Sequence, residues 1–113
     1  MTKVRVIKSE DVKFNKIEGL GGRWKRLISN TDTEKGLIVG IGILEPGEKA
    51  RHSHPEEEAF YVMLGTGIAR WWENGVMKEE KIYPGVLFYK GSNIEHMYEN
   101  TGKDPLIGVL CKV

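Results

Sequence analysis

Two of the three histidines in this 113-residue chain stand two residues apart, and a carboxylate follows them closely. His52 and His54 lie in a segment rich in strand-forming residues, and successive side chains of a strand alternate between its two faces. Both imidazoles are therefore predicted to point the same way, where they could hold one metal ion between them. Pro55 is expected to bend the strand after His54 and swing Glu58 back beside the histidines.

The third histidine, His96, lies far downstream in a second strand-like segment. It can complete a metal site only if the fold brings it back to the other two. On spacing alone, a His-x-His pair is more often two ordinary surface or core residues than a pair of ligands. The carboxylate of Glu58 is the feature that favours a metal site here.

The stretch that holds the first three candidate ligands resembles the first sequence motif of the cupin family, G-x(5)-H-x-H-x(3,4)-E-x(6)-G. His52, His54 and Glu58 occupy the ligand positions, and six residues separate Glu58 from Gly65, as the motif requires. The leading glycine, Gly47, stands one residue nearer to the histidines than the motif has it.

A second stretch resembles the second cupin motif, G-x(5)-P-x-G-x(2)-H-x(3)-N. Gly85, His96 and Asn100 are in register, whereas Gly91 and Asn93 stand where the motif has its proline and its second glycine. Asparagine tolerates the left-handed backbone conformation better than most residues, so Asn93 is expected to form the same turn. The spacing between Gly85, His96 and Asn100 is the same as in the motif despite both departures.

The resemblance implies an all-β protein in which residues 1–113 form a single antiparallel jelly-roll β-barrel. It implies a divalent metal ion at the mouth of the barrel, bound by His52, His54, Glu58 and His96. Three nitrogens and one oxygen leave Fe, Mn, Ni, Co and Zn open. Strand alternation adds Phe60 and Tyr98 to the ligand face as candidate walls of a substrate pocket. Asn100, on the same face, is expected to form hydrogen bonds at the strand end.

Short apolar segments cut by glycine support this fold class independently of the motifs. No segment has a sustained helical period, and many short strands with regular turns are typical of an antiparallel sandwich or barrel. The predicted strands span residues 12–17, 23–29, 37–44, 49–54, 58–64, 67–72, 77–82, 86–89, 96–99 and 106–112.

Composition excludes several classes of partner. The formal charge is +1, and the 17 basic and 16 acidic residues are interspersed, which is unlike a nucleic-acid footprint or a polybasic membrane anchor. There is no apolar run of signal-peptide or transmembrane length, so a cytoplasmic location is expected. The single cysteine, Cys111, cannot form an internal disulfide and is predicted to be a small packing residue.

The fifth predicted strand is apolar on both faces, which indicates that something covers its outer side. If Glu58 points inwards, Ala59, Tyr61 and Met63 point outwards, where a solvated antiparallel sheet normally carries polar residues. The N-terminal segment or the matching sheet of a second subunit could provide the cover, and we predict a homodimer. The three tryptophans are expected to pack in the core or at an interface.

The complete ligand set predicts a metalloenzyme that acts on a small oxygenated compound such as a carboxylate, diketone or sugar acid, with an oxygenase favoured over a decarboxylase or isomerase. The alternative is a non-catalytic metal-binding or sensor domain for a small ligand, because no general acid or base can be named. Arg51 alternates away from His52, and the orientation of Arg70 is not fixed by the sequence. A third interpretation has the histidines merely packing a metal-free barrel.

Overall fold

In the computed structural model, which describes residues 4–113, the chain forms two antiparallel sheets with almost no helix. The strands of the described part are β1 (Arg23–Ile28), β2 (Ile38–Leu44), β3 (Lys49–His52), β4 (Glu58–Leu64), β5 (Gly67–Glu73), β6 (Val76–Ile82), β7 (Leu87–Lys90), β8 (His96–Asn100) and β9 (Leu106–Lys112). One sheet has the strand order β1-β2-β9-β4-β7 and the other β3-β8-β5-β6. The prediction of an all-β jelly roll is confirmed.

The predicted strand at 12–17 is wrong. Within it, only Asn15 makes a β-bridge, which pairs its backbone with that of Trp24 in β1. The two backbone hydrogen bonds of this bridge measure 2.8 and 2.9 Å. The segment therefore runs beside the edge of the five-stranded sheet without joining it, and it is fixed further where Lys25 donates to the carbonyl oxygens of Ser9 and Val12.

The alternation predicted for β4 is confirmed by burial. Glu58, Phe60 and Val62 are at most 2% exposed, whereas Tyr61 and Met63 on the other face are 42% and 50% exposed. The space between the sheets is filled by apolar side chains, chiefly Leu44, Ala50, Phe60, Val62, Ala69, Ile82, Tyr98, Leu106 and Leu110. This core occupies the middle and one end of the barrel, and the other end carries the polar side chains described below.

Two turns set the register of the strands that carry the candidate ligands. Asn93, in the turn before β8, has φ 61°, so it adopts the left-handed conformation predicted for it. Gly65, directly after β4, has φ 83°, and a Cβ there would lie 2.3 Å from the carbonyl oxygen of Pro105. Only glycine fits at that point, because both the backbone angle and the close approach exclude a side chain.

None of the helices among residues 4–113 has the length and apolar character needed to cross a membrane.

Candidate metal centre

The pairing of β3 with β8 brings the distant histidine to the first two. His52 lies directly opposite His96 in this antiparallel pair, and their ring centroids are 4.1 Å apart. The strand ends at His52, so the expectation that His54 continues it is wrong: His54 lies in the connection to β4. Pro55 follows His54 and has no N–H group to donate, so it cannot extend the backbone hydrogen bonds between β3 and β8. The rings of His52 and His54 still stack, with centroids 5.1 Å apart.

Glu58 comes from the opposite sheet and lies at the centre of the three imidazoles. Its Oε1 atom is 3.1 Å from Nε2 of His54 and 3.7 Å from Nε2 of His52. Its Oε2 atom is 3.4 Å from Nε2 of His96 and accepts a short hydrogen bond from the hydroxyl of Tyr98. The side chain is 1% exposed, so these groups replace water around the carboxylate.

Backbone carbonyls fix the orientation of two of the imidazoles. Nδ1 of His96 is 3.0 Å from the carbonyl oxygen of Ile94, and Nδ1 of His54 is 3.2 Å from that of Glu56. When Nδ1–H of His96 donates to its carbonyl, Nε2 of His96 is left with a lone pair that faces the centre. Nδ1 of His54 also lies 3.2 Å from Nζ of Lys90, an ammonium that can only donate. Nε2 of His96 is buried and has no hydrogen-bond partner among the described residues.

These observations fit a divalent metal ion. One ligand atom from each of His52, His54, Glu58 and His96 lies within 4.8 Å of the other three. Two ligands at about 2.1 Å on opposite sides of an ion are about 4.2 Å apart, so small side-chain shifts would let all four reach one ion. A buried lone pair without a donor is unfavourable in a metal-free core and is what a metal ligand requires.

The charge state of the cluster also suits a cation. Burial would raise the pKa of Glu58, but the close imidazoles of His52, His54 and His96 outweigh burial and hold that pKa well below its usual range. Burial lowers the pKa of His52, against the opposing effect of its hydrogen bond with Glu58. Glu58 is therefore ionised and His52 neutral at pH 7, which are the forms that bind metals.

The two predicted pocket walls lie beneath this cluster. Phe60 and Tyr98 stack on each other with centroids 4.5 Å apart and are 2% and 1% exposed. Burial and the neighbouring Glu58 raise the pKa of Tyr98 well above its usual value, so its hydroxyl remains a donor. The structure thus places both rings next to the ligands, as a floor closed to solvent.

Sequence reasoning missed two lysines that flank Glu58 in the five-stranded sheet. Lys90 of β7 and Lys112 of β9 both pair with Glu58 in the register. Lys90 is 4% exposed and donates to the carbonyl oxygens of Glu56 at 2.7 Å and of His54 at 3.4 Å. Lys112 points towards Glu58 from the other side. Alternation along β9 would have placed Lys112 inside, but only the register reveals that it faces Glu58.

The two arginines considered from the sequence lie away from the cluster. Arg51 is exposed, pairs with Glu95 at 2.6 Å and lies 4.1 Å from the ring of Trp72. Arg70 pairs with Glu79 and Glu99.

Cys111 is exposed in the single chain, so it is not a core residue. Alternation along β9 turns its side chain to the outer face, because Leu110 takes the inward position.

Two clefts open on opposite edges of the barrel. The first, with a volume of about 530 Å³, is lined by His52 and His54 together with residues of β1, β9 and the N-terminal segment. The second, of about 760 Å³, runs along β6 and β7 and includes Trp71 and Phe88. The first is the one that reaches the candidate ligands directly, and we call it the histidine cleft.

The fold is a jelly-roll barrel, and three histidines and a glutamate lie together at its mouth. These features define a class of small β-barrel proteins, and the comparisons with known proteins lead to the same class. The family described as "Cupin domain" matches residues 40–111, which cover the four candidate ligands, and the chain belongs to this family. The resemblance inferred from the two motifs is confirmed. No curated protein sequence matches the chain significantly.

Several solved structures share the fold over most of the chain. A predicted oxalate decarboxylase from Thermotoga maritima is 26% identical with a TM-score of 0.83, over 96% of this chain and 98% of that one. The polyketide cyclase RemF from Streptomyces resistomycificus is 17% identical, with a TM-score of 0.78 over 96% of this chain and 78% of that one.

The oxalate decarboxylase of Bacillus subtilis, studied for its Mn(II) centres, is 23% identical with a TM-score of 0.72. The match covers 84% of this chain but only 26% of that protein, so the chain spans about a quarter of its length. At the identities of this structure and of RemF, the likeness is one of fold.

Proposed function

We propose that the protein is a metal-dependent cupin enzyme that acts on a small oxygenated acid at the cluster of His52, His54, Glu58 and His96. The observation that carries the proposal is the buried, unpartnered Nε2 of His96 beside an ionised Glu58. An orphaned imidazole nitrogen whose lone pair faces a buried carboxylate is costly without a cation between them. The physiological ion is left open among Fe, Mn, Ni, Co and Zn.

Each described residue around the cluster has a role in such a site. A bound divalent ion would supply Lewis acidity or redox chemistry to an oxygen-rich compound. Tyr98 holds the carboxylate of Glu58 through its hydroxyl, and the carbonyls of Ile94 and Glu56 orient the imidazoles of His96 and His54. Phe60 and Tyr98 form the floor that keeps water away from the buried side of the ligands, and we propose that they also contact the substrate.

The similarity to the predicted oxalate decarboxylase of Thermotoga maritima supports an acid as the substrate. The expectation from the sequence is an oxygenase, whereas this similarity favours decarboxylation. Both reactions act on a compound whose oxygens can reach a metal ion. We therefore propose the substrate class as a small oxygenated carboxylate and let oxygen consumption decide between the two reactions.

Metal content and thermal stability test the proposal. Protein purified without added metal or an affinity tag should contain close to one divalent ion per chain, and a chelator should lower the melting temperature because the ion binds only the folded state. His54→Ala should abolish both properties, whereas Ser53→Ala, a neighbour outside the ligand set, should keep them. Wild-type protein without metal, and a melting curve unaffected by chelator or by each candidate metal, would contradict the proposal.

An oxygen electrode and a carbon dioxide assay then separate the reactions. Iron or nickel with oxygen uptake during acid or diketone turnover would indicate an oxygenase. Carbon dioxide release from a carboxylic acid without net oxygen uptake would indicate a decarboxylase.

A non-catalytic metal-binding or sensor domain is the second candidate, and one observation favours it. Among the described residues near the ligands, Tyr98 is engaged by Glu58 and Lys90 by the carbonyls of His54 and Glu56, which leaves Lys112 as the one group there that is free to transfer a proton to a substrate. Ligand binding without turnover of any acid by metal-loaded protein would select this candidate over the enzyme.

We also propose that the protein forms a homodimer through the outer face of the five-stranded sheet. Side chains that face outwards on its four adjacent strands β2, β9, β4 and β7 are uncharged, and the register aligns them in rows across the sheet. Two of these rows are Val39–Cys111–Ala59–Tyr89 and Ile41–Val109–Tyr61–Leu87.

The N-terminal segment runs beside β1, and Tyr61, Leu87 and Tyr89 are 42%, 59% and 60% exposed in the single chain. An apolar, uncharged face of this kind fits a second copy of itself. Light scattering after gel filtration should give the mass of a dimer for wild type and of a monomer for Tyr61→Glu. Tyr83→Glu, a change at an exposed tyrosine outside this face, should leave the dimer intact. A wild-type monomer would refute the interface.

A further inference from the structure

The histidine cleft combines positive charge with an apolar wall. Its basic side chains are those of Arg26 and Lys112, beside His52 and His54, and no aspartate or glutamate is among the described residues that line it. Lys25 also borders the cleft, but its ammonium group is bonded to the carbonyl oxygens of Ser9 and Val12. The apolar lining of the cleft consists of Val12, Ile17, Leu20, Trp24 and Leu110.

Lys112 is the cation nearest to the candidate ligands on the cleft side. Its Nζ atom is 3.9 Å from Oε1 of Glu58, which is beyond hydrogen-bonding distance, and its side chain is only 17% exposed. Within residues 4–113 its ammonium group makes no hydrogen bond. Its ammonium group is not among the buried atoms that lack a partner, so it opens to the cleft beside Glu58 and its donors are available to an anion there.

Lys90 shows what a structural lysine looks like at the matching position. It faces Glu58 from the other neighbouring strand, but its ammonium group bonds the carbonyls of Glu56 and His54 and is fully occupied. Of two lysines in equivalent register, one supports the loop that carries His54, and the other presents its donors to the cleft.

The cleft is larger than the charged group of a ligand alone would need. A volume of about 530 Å³ lies within the usual range for pockets that enclose organic ligands of about 300 to 1,000 Å³, and it far exceeds the needs of a two-carbon acid. Trp24 lines the cleft next to the candidate ligands, with its ring centroid 6.4 Å from that of His52. An aromatic wall this close to the ligands suits a hydrophobic group attached next to the reacting carboxylate.

We propose that this site takes a carboxylate with a hydrophobic body, whose carboxylate lies at Lys112 beside the four ligands and whose body packs against Trp24, Leu20 and Leu110. The inference rests on the proposed function, because it places the ligand at the same cluster. It goes further by naming Lys112 as a substrate-positioning residue and by excluding oxalate as the preferred acid.

Three small compounds separate charge from hydrophobic size: benzoylformate, its methyl ester and pyruvate. Benzoylformate and pyruvate share the 2-oxo acid and differ in a phenyl or methyl group, and the ester removes only the charge. Calorimetric titration of the protein as purified, with its metal content measured, should give benzoylformate an affinity at least about tenfold above that of either other compound.

Substitutions then test the residues. Lys112→Gln should weaken benzoylformate binding about tenfold and leave ester binding unchanged, and Lys112→Arg should restore most of the loss. Lys103→Gln, at an exposed lysine outside the cleft, should change nothing. Ile17→Glu places an acid on the exposed rim of the cleft and should weaken benzoylformate about threefold, whereas Ile17→Lys should not.

The outcomes test the hydrophobic body, the role of Lys112 and the presence of a metal ion separately. Equal affinity for pyruvate and benzoylformate would overturn the hydrophobic body, and undiminished binding of benzoylformate by Lys112→Gln with normal metal content would overturn the role of Lys112. If the wild type holds no metal yet binds benzoylformate in a Lys112-dependent manner, the proposed function fails and the cleft inference stands. If metal is present and none of the three compounds binds, the inference fails alone.

Discussion

The two ends of the barrel interior are built from the same strands but differ in how their polar groups are satisfied. Strand β8 carries His96 at one end and Asn100 at the other, and both are buried. Asn100 donates to the carbonyls of Leu44 at 2.7 Å and Asp104 at 2.8 Å, and accepts from the N–H of Gly102 at 2.9 Å. His96 keeps one nitrogen without a partner.

Burial of a polar residue therefore does not by itself mark a functional site. The side chain of Asn100 has its hydrogen bonds completed within the chain, so it closes the strand end, as the sequence predicts, and the apolar core lies beside it. His96 has a lone pair that the described residues do not satisfy, and it lies beside a carboxylate and two further imidazoles. Of these two residues of β8, it is His96, with its unsatisfied atom next to a carboxylate and two imidazoles, that is suited to bind a cation.

The largest effect on stability is expected when a carboxylate is placed in the apolar part of the barrel interior. Val62 lies on the same face of β4 as Glu58 and is 0% exposed, among apolar side chains. Val62→Glu should lower the free energy of unfolding by more than about 4 kcal/mol, because no imidazole or hydroxyl surrounds position 62 to replace water. Urea unfolding followed by circular dichroism measures the loss, with exposed Val76→Glu as the control that changes little.

A folded Val62→Glu protein with less than about 1 kcal/mol of destabilisation would show that both ends tolerate charge. The distinction between a binding end and a packing end would then be wrong.

The pH dependence of stability gives a smaller and finer test of the polar end. Burial lowers the pKa of His52 in the folded chain from its ordinary value of 6.5, so the unfolded chain takes up a proton first as the pH falls. The free energy of unfolding of chelator-treated protein should therefore decrease as the pH is lowered from 7 to 5. Replacing His52 by Gln should reduce that slope, and urea titrations at each pH measure it.

The free energy of unfolding should decline further below pH 4.5, the ordinary pKa of Glu58, because the pKa of Glu58 is lowered in the folded chain. Asn100 does not titrate, so Asn100→Ala should lower stability without altering the slope above pH 5. A pH-independent stability between 7 and 5 would contradict the burial of neutral His52.

Much of the fold follows from local patterns in the sequence. Glycine-bounded apolar segments predict the strands β1 to β9 within a few residues, and alternation in β4 and β8 predicts the inward faces of Phe60 and Tyr98. The left-handed turn at Asn93 follows from the conformational tolerance of asparagine. Motif spacing identifies the four residues that the fold brings together.

The errors and omissions share one cause, which is that pairing partners are not visible in a single sequence. Strand-like composition at 12–17 gave a wrong strand, because only Asn15 finds a partner there. Cys111 was expected to be a packing residue because its neighbours Val109, Leu110 and Val113 are apolar, which does not reveal the face of β9 on which it lies. Lys90 and Lys112 became visible only when β7 and β9 were aligned on either side of Glu58.

The four candidate ligands belong to both sheets of the barrel. His52 and His96 come from the four-stranded sheet, Glu58 from the five-stranded sheet, and His54 from the segment that crosses between them. Strand β3, the short edge strand that ends at His52, is paired on one side only, with β8. Coordination of one ion by all four side chains would cross-link the two sheets at the rim of the barrel. The residues that set the chemistry would then also limit how far the two sheets can move apart.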